Sequence, residues 1–479
     1  MMKQEVMRME SENTHLIFYY PFSYRRYDFN YLQKTLKENQ FFHFHVEQKH
    51  SNLYGPDVEM SHDLLKQFYY PFIEEKLLND TPSLVHFNRY SKAMRLLGTM
   101  KTKYEEISFT IHSVDVNLCP FGIGIVAIRL QLHAIKDINS TLSFMHYFRV
   151  LQPTIDEELG ADYMVDEQHY DNSNELLFSK LVPFLPSFFV DYQANGKNYR
   201  KIPFFEDERM YVSGFLQVDE TMELNDEVLF RAGQLNGRNE VGAPYISSTN
   251  ETYIENFVKE HCYDRWSPNF FMMTTIQGQI QLTNRHDEHI SKYISNFHST
   301  TYYTVLIHYF YKLVLLKLTF QHSELKFSKD KVIVEDLIEQ ITKFATRYYF
   351  SEVSARTEAN EVAYYFRKVF KIDEQYREIK ETLDELYRIQ EDRSNDRLNE
   401  LLFILTIFSM ISGIYGMNLV IEKLGKSLDW SEVFNFTFYE WSAFLLIIFG
   451  LAISALLVIH QSYSLLSSYY KKKTRHKKY

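Results

Sequence analysis

Two long uncharged runs near the end of the chain set the first expectation. Residues 401–421 contain no Lys, Arg, Asp, Glu or His, and a second uncharged run starts at residue 441. About 20 apolar residues are enough for a helix to cross the core of a lipid bilayer. The pattern therefore predicts a two-helix transmembrane hairpin, with spans at 401–421 and 441–463 joined by an extracytoplasmic loop at 422–440.

The tail that follows the second predicted span, residues 464–479, carries six Lys and Arg side chains close together. Positive charges beside a span favour the cytoplasmic side of a membrane. Because two spans return the chain to the side where it started, both termini are expected in the cytoplasm. The sequence thus predicts a multi-pass protein of the plasma membrane.

Ahead of the predicted spans, a polar N-terminus at 1–15 is followed by a region of mixed type at 16–295. Short apolar runs alternate there with helical patterns, which predicts a cytoplasmic α/β domain. Every second residue from Val126 to Leu132 is apolar, as is typical of a half-buried strand. Strands are expected at 16–20, 41–46, 107–116 and 123–132, a hairpin connection at 118–122, and helices at 63–78 and 250–263.

Residues 296–400 have the pattern of long stalk helices. The segment 302–320 is strongly apolar but contains Lys312 and Lys317, and a lysine inside lipid is costly, so a buried helix is expected and no third span. A second helix is expected to run from Val332 into the first span without a break, since no proline follows Pro268. Its apolar seam repeats in steps of three and four, at Val362, Phe366, Val369, Ile372, Tyr376, Ile379, Leu383 and Leu386.

Beyond Leu386 the seam becomes polar. A single span has no need to gather polar groups on one side, whereas several copies around an axis would form rings of carboxylate, amide and hydroxyl groups. Small and hydroxyl residues also mediate simple helix packing in lipid, so the part from Asp392 to Asn399 is the stronger sign of a pore-lining helix. Seven positions fall within a sector of about 100° on a helix: Asp392, Asn395, Asn399, Leu402, Thr406, Ser409 and Gly413.

Composition and candidate chemistry exclude several classes of function. The chain has 52 Lys and Arg against 62 Asp and Glu, and this net charge of −10 argues against a nucleic-acid partner. The pairs His43 with His45 and His286 with His289 could ligate a metal, but neither has a third ligand at a recognisable spacing. Surface histidines are therefore the favoured interpretation. No nucleophile–base arrangement follows from spacing, so neither an enzyme nor a bound cofactor is predicted.

The tripeptide Gly416-Met417-Asn418 at the outer end of the first predicted span, with a short acidic loop, a last span and a Lys-rich tail, resembles the CorA-type magnesium channels. The resemblance covers about residues 300–479. It implies a homopentameric funnel in the bilayer, with a central pore whose selectivity filter is formed by residues 416–418. Asn418 of each chain would hold hydrated Mg²⁺ through its water shell, which fits an ion that dehydrates reluctantly.

The function that this resemblance implies is passive uptake of Mg²⁺, gated by intracellular Mg²⁺, with Co²⁺, Ni²⁺ or Zn²⁺ as close variants. In the loop, Glu422, Asp429 and Glu432 would concentrate cations at the pore mouth, although surface solvation also accounts for them. A different class stays open, namely a membrane-tethered oligomeric sensor or scaffold whose hairpin is only an anchor. A channel requires Asn418 and Asp392, whereas an anchor tolerates alanine at both positions.

Overall fold

The computed structural model describes most of the chain before residue 417 and scattered helical positions between 437 and 456. The described residues are 9–47, 51–133, 137–151, 161–190, 209–323, 325, 331–416 and those scattered positions, apart from 56–57, 59, 61–64, 66 and 240. The chain divides into two units, the first with residues 1–324 and 342–379 and the second with residues 325–341 and 380–479.

The first unit is built on a mixed sheet of 11 strands. The strands are β1 Met9–Ser23, β2 Phe42–His43, β3 Asn88–Lys101, β4 Glu106–Cys119, β5 Ile123–His133, β6 Asp162–Val165, β7 Gln168–Tyr170, β8 Tyr211–Val218, β9 Cys262–Tyr263, β10 Phe270–Thr274 and β11 Gly278–Thr283. Their order is β7-β6-β3-β4-β5-β1-β8-β11-β10-β9, and β2 pairs with β3. Strands β8 and β11 are parallel, and the other paired strands are antiparallel.

The helices follow the strands along the chain and then dominate its last part. They are α1 Phe29–Glu38, α2 Pro71–Leu77, α3 Ile138–Arg149, α4 Ser173–Glu175, α5 Asp226–Gln234, α6 Glu251–His261, α7 Ile290–Asn296, α8 Tyr302–Ser323, α9 Lys331–Arg347, α10 Thr357–Val369 and α11 Ile372–Gly416. A π-helical turn, Phe297–Thr301, joins α7 to α8.

Strands β4 and β5 form the hairpin that the sequence predicted, closed by a 3₁₀ turn at Pro120–Gly122. Phe121 and Gly122 both have positive φ angles, 62° and 70°. A Cβ atom on Gly122 would lie 2.4 Å from the carbonyl oxygen of Tyr24, so this position accepts only glycine.

The two faces of the sheet differ in character, because directly paired residues point to the same side. One face is apolar and packs on α3, where the rings of Phe18 and Phe148 lie 4.6 Å apart. The opposite face presents polar residues such as Asp115 and Arg129, and it is buried as well. The prediction that β5 is half-buried is therefore wrong, since residues Ile123 to Leu132 are all buried.

Helix α8 is buried along most of its length, including both of its lysines. The Nζ atom of Lys317 donates a hydrogen bond to the carbonyl oxygen of Phe121 at 2.6 Å. The ammonium of Lys312 lies 5.2 Å from the centre of the Phe370 ring. These contacts explain how a strongly apolar helix inside the folded unit accommodates two positive charges.

The expected unbroken helix from Val332 is wrong, because the chain leaves the helix between Arg347 and Thr357 and again at Lys371, whose φ is 51°. In the first break, the carbonyl oxygen of Val353 accepts a hydrogen bond from the backbone N–H of Tyr70, which replaces a helical partner. Most of the predicted seam is nevertheless buried: Val362, Phe366, Ile372, Ile379 and Leu386.

The predicted transmembrane hairpin is not supported. Among the described residues, no helix is both long enough and apolar enough to cross a membrane. Residues 417–436 and most of 441–463 lie outside the described residues. Because no described helix meets the requirements of a span, the predicted two-span hairpin and the plasma-membrane location inferred from it are wrong.

Candidate functional site

All seven predicted pore-lining positions lie in the single helix α11. At 100° per residue they share one face of about 100°. The side chains of six of them are exposed: Asp392, Asn395, Asn399, Leu402, Thr406 and Ser409. Thr406 donates its hydroxyl hydrogen to the carbonyl oxygen of Leu402 at 2.7 Å, so this group is satisfied within the helix. The seventh position, Gly413, belongs to the last turns of α11.

Most of the predicted filter and all of the predicted loop carboxylates lie outside the described residues. Gly416 is the last residue of α11. Met417 and Asn418 lie outside the described residues, and so do the three loop carboxylates Glu422, Asp429 and Glu432. The candidate site is therefore described only from Asp392 to the end of α11.

The same part of α11 also exposes large apolar side chains. Six of them are between 40% and 68% exposed: Leu398, Leu401, Leu402, Phe403, Leu405 and Phe408. Contiguous exposed apolar surface of this kind marks a place where another molecule binds. Five of the six fall within a sector of about 120° that meets one edge of the polar face, and Phe403 lies beyond its other edge, so one neighbouring helix would not cover them all.

Sequence reasoning missed the second chemically distinctive region, which is the polar network on the buried face of the sheet. Its centre is the carboxylate of Asp115 on β4, which is fully buried. Ser91 donates to Asp115 Oδ1 at 2.7 Å, and the Tyr302 hydroxyl donates to Asp115 Oδ2 at 2.9 Å. The same oxygen accepts from Nη1 of Arg129 and lies 3.1 Å from Nε of Arg89. One carboxylate thus pairs with two guanidinium groups.

Aromatic rings enclose these two guanidinium groups. The Arg89 guanidinium carbon lies 3.8 Å from the centre of the Phe44 ring, and that of Arg129 lies 4.3 Å from the Tyr302 ring. Burial alone would raise the pKa of Asp115, but the positive charges of Arg129 and Arg89 hold it below its usual value. The carboxylate is therefore charged at neutral pH.

The network could not be read from the sequence, although one signal was present. Asp115 and Asn117 on β4, like Arg129 and Gln131 on β5, alternate with apolar residues. Such alternation normally marks a face in water. Here α8 covers that face, and its first residue, Tyr302, supplies a polar partner for Asp115. The period of a strand shows that two faces differ, but it does not show what covers the polar one.

In each histidine pair, one imidazole bonds to another part of the described chain. The rings of His43 and His45 are 4.9 Å apart, and Nδ1 of His45 lies 2.9 Å from a carboxylate oxygen of Asp80. His286 bonds through Nε2 to the carbonyl oxygen of Val218. Within the described part of the chain, no group of three or more His, Cys, Asp or Glu side chains is placed to hold a metal ion.

Comparison with known proteins adds no relative to this picture. No family model matches the chain, and no curated protein matches it. The resemblance to CorA-type channels, with the pentamer and the bound Mg²⁺ that it implies, therefore stays a prediction made from the sequence of about residues 300–479.

Proposed function

We propose that this chain is an oligomeric divalent-cation protein, in which copies of α11 surround an axis along which the ion binds and moves. The observation that carries the proposal is the unbroken helix from Ile372 to Gly416, which sets Asp392, Asn395 and Asn399 on one exposed face. A single helix gains nothing from exposing apolar side chains beside such a face, whereas a bundle turns the polar side inward and buries the apolar side chains on its two flanks.

The exposed apolar side chains of α11 support association of copies. Phe403 and Leu405 are among the most exposed of them, and they flank the polar face on either side. In a symmetric bundle each helix contacts two neighbours, which would cover side chains on both flanks of the polar face. Association would bury this surface and gain about 25 cal/mol for each Å² of apolar area removed from water.

The chemistry of the polar face suits a hard divalent cation. A ring of Asp392 carboxylates would attract the ion, and the amides of Asn395 and Asn399 would hydrogen-bond its water shell. Mg²⁺ usually keeps several waters and is held through few direct protein ligands. Passive transport of Mg²⁺, or of Co²⁺, Ni²⁺ or Zn²⁺, is the stronger form of this proposal and comes from the CorA resemblance.

The decisive experiment compares Asp392→Ala with Glu400→Ala. Both residues are exposed carboxylates of α11, but Glu400 lies about 80° around the helix from Asp392, outside the polar face. Native mass spectrometry should show the same oligomer for both variants. Mg²⁺ binding to the purified oligomer, and growth of a Mg²⁺-uptake-deficient bacterium, should fall for Asp392→Ala alone. Equal binding by the two variants would refute the proposed axis.

A second candidate, an oligomeric sensor or scaffold that conducts no ions, is favoured by one observation. No helix among the described residues meets the requirements of a membrane span. This candidate predicts that the Asp392→Ala oligomer assembles normally and that no variant of α11 changes bacterial growth at low Mg²⁺. The same growth assay therefore separates the two functions.

A further inference from the structure

Several fully buried nitrogen atoms of Arg129 and of two histidines have no hydrogen-bond partner among the described residues. They are Nε and Nη2 of Arg129, both ring nitrogens of His298, and Nδ1 of His15. The three side chains are only 1–2% exposed. Buried polar groups are nearly always paired, with protein, with ordered water or with a bound ligand. A group of unpaired nitrogens in one place therefore indicates that a partner from outside the chain, such as water or a bound ion, satisfies them.

These side chains form one cluster, which we call the β5–α8 cluster: His15, Tyr54, Arg129 and His298. The rings of His15 and His298 are 5.2 Å apart, and those of Tyr54 and His298 are 5.4 Å apart. The guanidinium carbon of Arg129 also lies 5.4 Å from the Tyr54 ring centre. His298 belongs to the π-helical turn Phe297–Thr301, a backbone form that is frequent at functional sites.

The charges beside the cluster do not balance. Among the described residues, Asp115 is the one carboxylate paired with Arg89 or Arg129, so two positive charges face one negative charge. Burial lowers the pKa of His15 to about 3, and burial together with His15 and Arg129 lowers that of His298 well below its usual value. Both imidazoles are therefore neutral at neutral pH. One uncompensated positive charge remains in a water-excluded place, where it is strongly unfavourable.

We propose that a single monovalent anion of the size of chloride binds in the β5–α8 cluster, accepting hydrogen bonds from Nε and Nη2 of Arg129 and from a ring N–H of His298. One negative charge balances the excess, and the rings of His15, Tyr54 and His298 are in direct contact, with centres 5.2–5.4 Å apart, which leaves no room for a polyatomic anion beside Arg129. The proposal is independent of the divalent-cation axis of α11, because it rests on residues of the first unit alone.

The test uses chloride as the probe on the purified full chain, with gluconate as the replacing anion at constant ionic strength. Binding should broaden the ³⁵Cl NMR line and raise the melting temperature as chloride increases, since a ligand of the folded state stabilises it. Arg129→Gln removes the charged donor, and His298→Phe removes a neutral donor without changing the charge. Loss of a hydrogen bond that carries charge should weaken chloride binding about tenfold or more.

The matched control is Arg149→Gln, which removes the same charge from a buried arginine on α3. Arg149 donates to Gln277 at 2.7 Å and to the carbonyl oxygen of Met210 at 3.2 Å. This variant should keep the full chloride response. If circular dichroism shows that Arg129→Gln is unfolded, His298→Phe decides. A wild-type chain without a chloride response would mean that only water fills the cluster, and an unchanged response in a folded Arg129→Gln or His298→Phe chain would equally overturn the proposal.

Discussion

Replacing Asp115 by alanine is the sharpest test of how the buried polar network stabilises the first unit. The carboxylate accepts hydrogen bonds from Arg129, Ser91 and Tyr302, and it also forms an ion pair with Arg89. Its removal leaves two buried positive charges with no negative partner in the network. Breaking a buried ion pair by removing one partner costs about 3–5 kcal/mol. We expect a loss of that size in the free energy of unfolding at neutral pH.

Urea unfolding followed by tyrosine and tryptophan fluorescence measures this loss. Asp162→Ala is the control, because Asp162 is an exposed aspartate of β6, and its replacement should change stability by no more than about 0.5 kcal/mol. A loss below about 1 kcal/mol for Asp115→Ala, comparable to an average substitution, would refute the reasoning. A chain that replaces the whole triad, with Arg89→Met, Asp115→Leu and Arg129→Met, should recover most of the stability because no charge is then left unpaired.

Three further predictions concern single positions of the first unit, each measured by urea unfolding. Gly124→Ala would place a Cβ atom 2.1 Å from the ring of Phe22, so it should cost about 1–3 kcal/mol, and the added substitution Phe22→Ala should remove the clash. Burial lowers the pKa of His308 to about 4, so the folded chain binds fewer protons than the unfolded chain between pH 4 and 6.5. Stability should therefore fall as pH drops through that range, and His308→Gln should flatten the slope by about 2–3 kcal/mol in total. Lys317→Met should lower the free energy of unfolding by about 1–3 kcal/mol, because it leaves the buried carbonyl oxygen of Phe121 without the Lys317 donor. A variant as stable as the wild-type chain would show that this hydrogen bond contributes nothing to stability.

The parts of the fold that local patterns determine were predictable from the sequence. Apolar alternation and the segment Leu118–Gly122 placed the β4–β5 hairpin, and the two lysines of α8 identified it as a buried helix. The order of the strands was not predictable, because β1 pairs with β5 and β8, more than a hundred residues away. Such pairings depend on long-range contacts that no single segment encodes.

The errors near the C-terminus have a physical cause as well. A transmembrane helix and an apolar helix that packs against other protein helices have the same uncharged pattern, so residues 401–416 fit both. The absence of proline after Pro268 permitted a continuous helix but did not require one. The chain instead breaks at Val353, where a hydrogen bond from Tyr70 is available, and at Lys371. Tertiary bonds therefore set the helix ends where composition allowed several solutions.

The polar face of the sheet also explains why α8 packs against it in a single register. Apolar packing is non-directional, so a helix on a smooth apolar face has several similar places to lie. Here three consecutive residues bond to three strands: Thr301 to Gln281 at 3.1 Å, Tyr302 to Asp115 at 2.9 Å, and Tyr303 to Arg89 at 3.4 Å. A shift by one helical turn would break all three bonds and leave these buried polar groups without their hydroxyl partners. We infer that the network mainly fixes the register of α8. A near-UV circular dichroism signal as strong in the replaced triad as in the wild type would contradict this. The expected loss of unfolding free energy in Asp115→Ala therefore reports mainly the penalty for leaving two buried guanidinium groups unpaired. It does not report the net contribution of the ion pairs to stability.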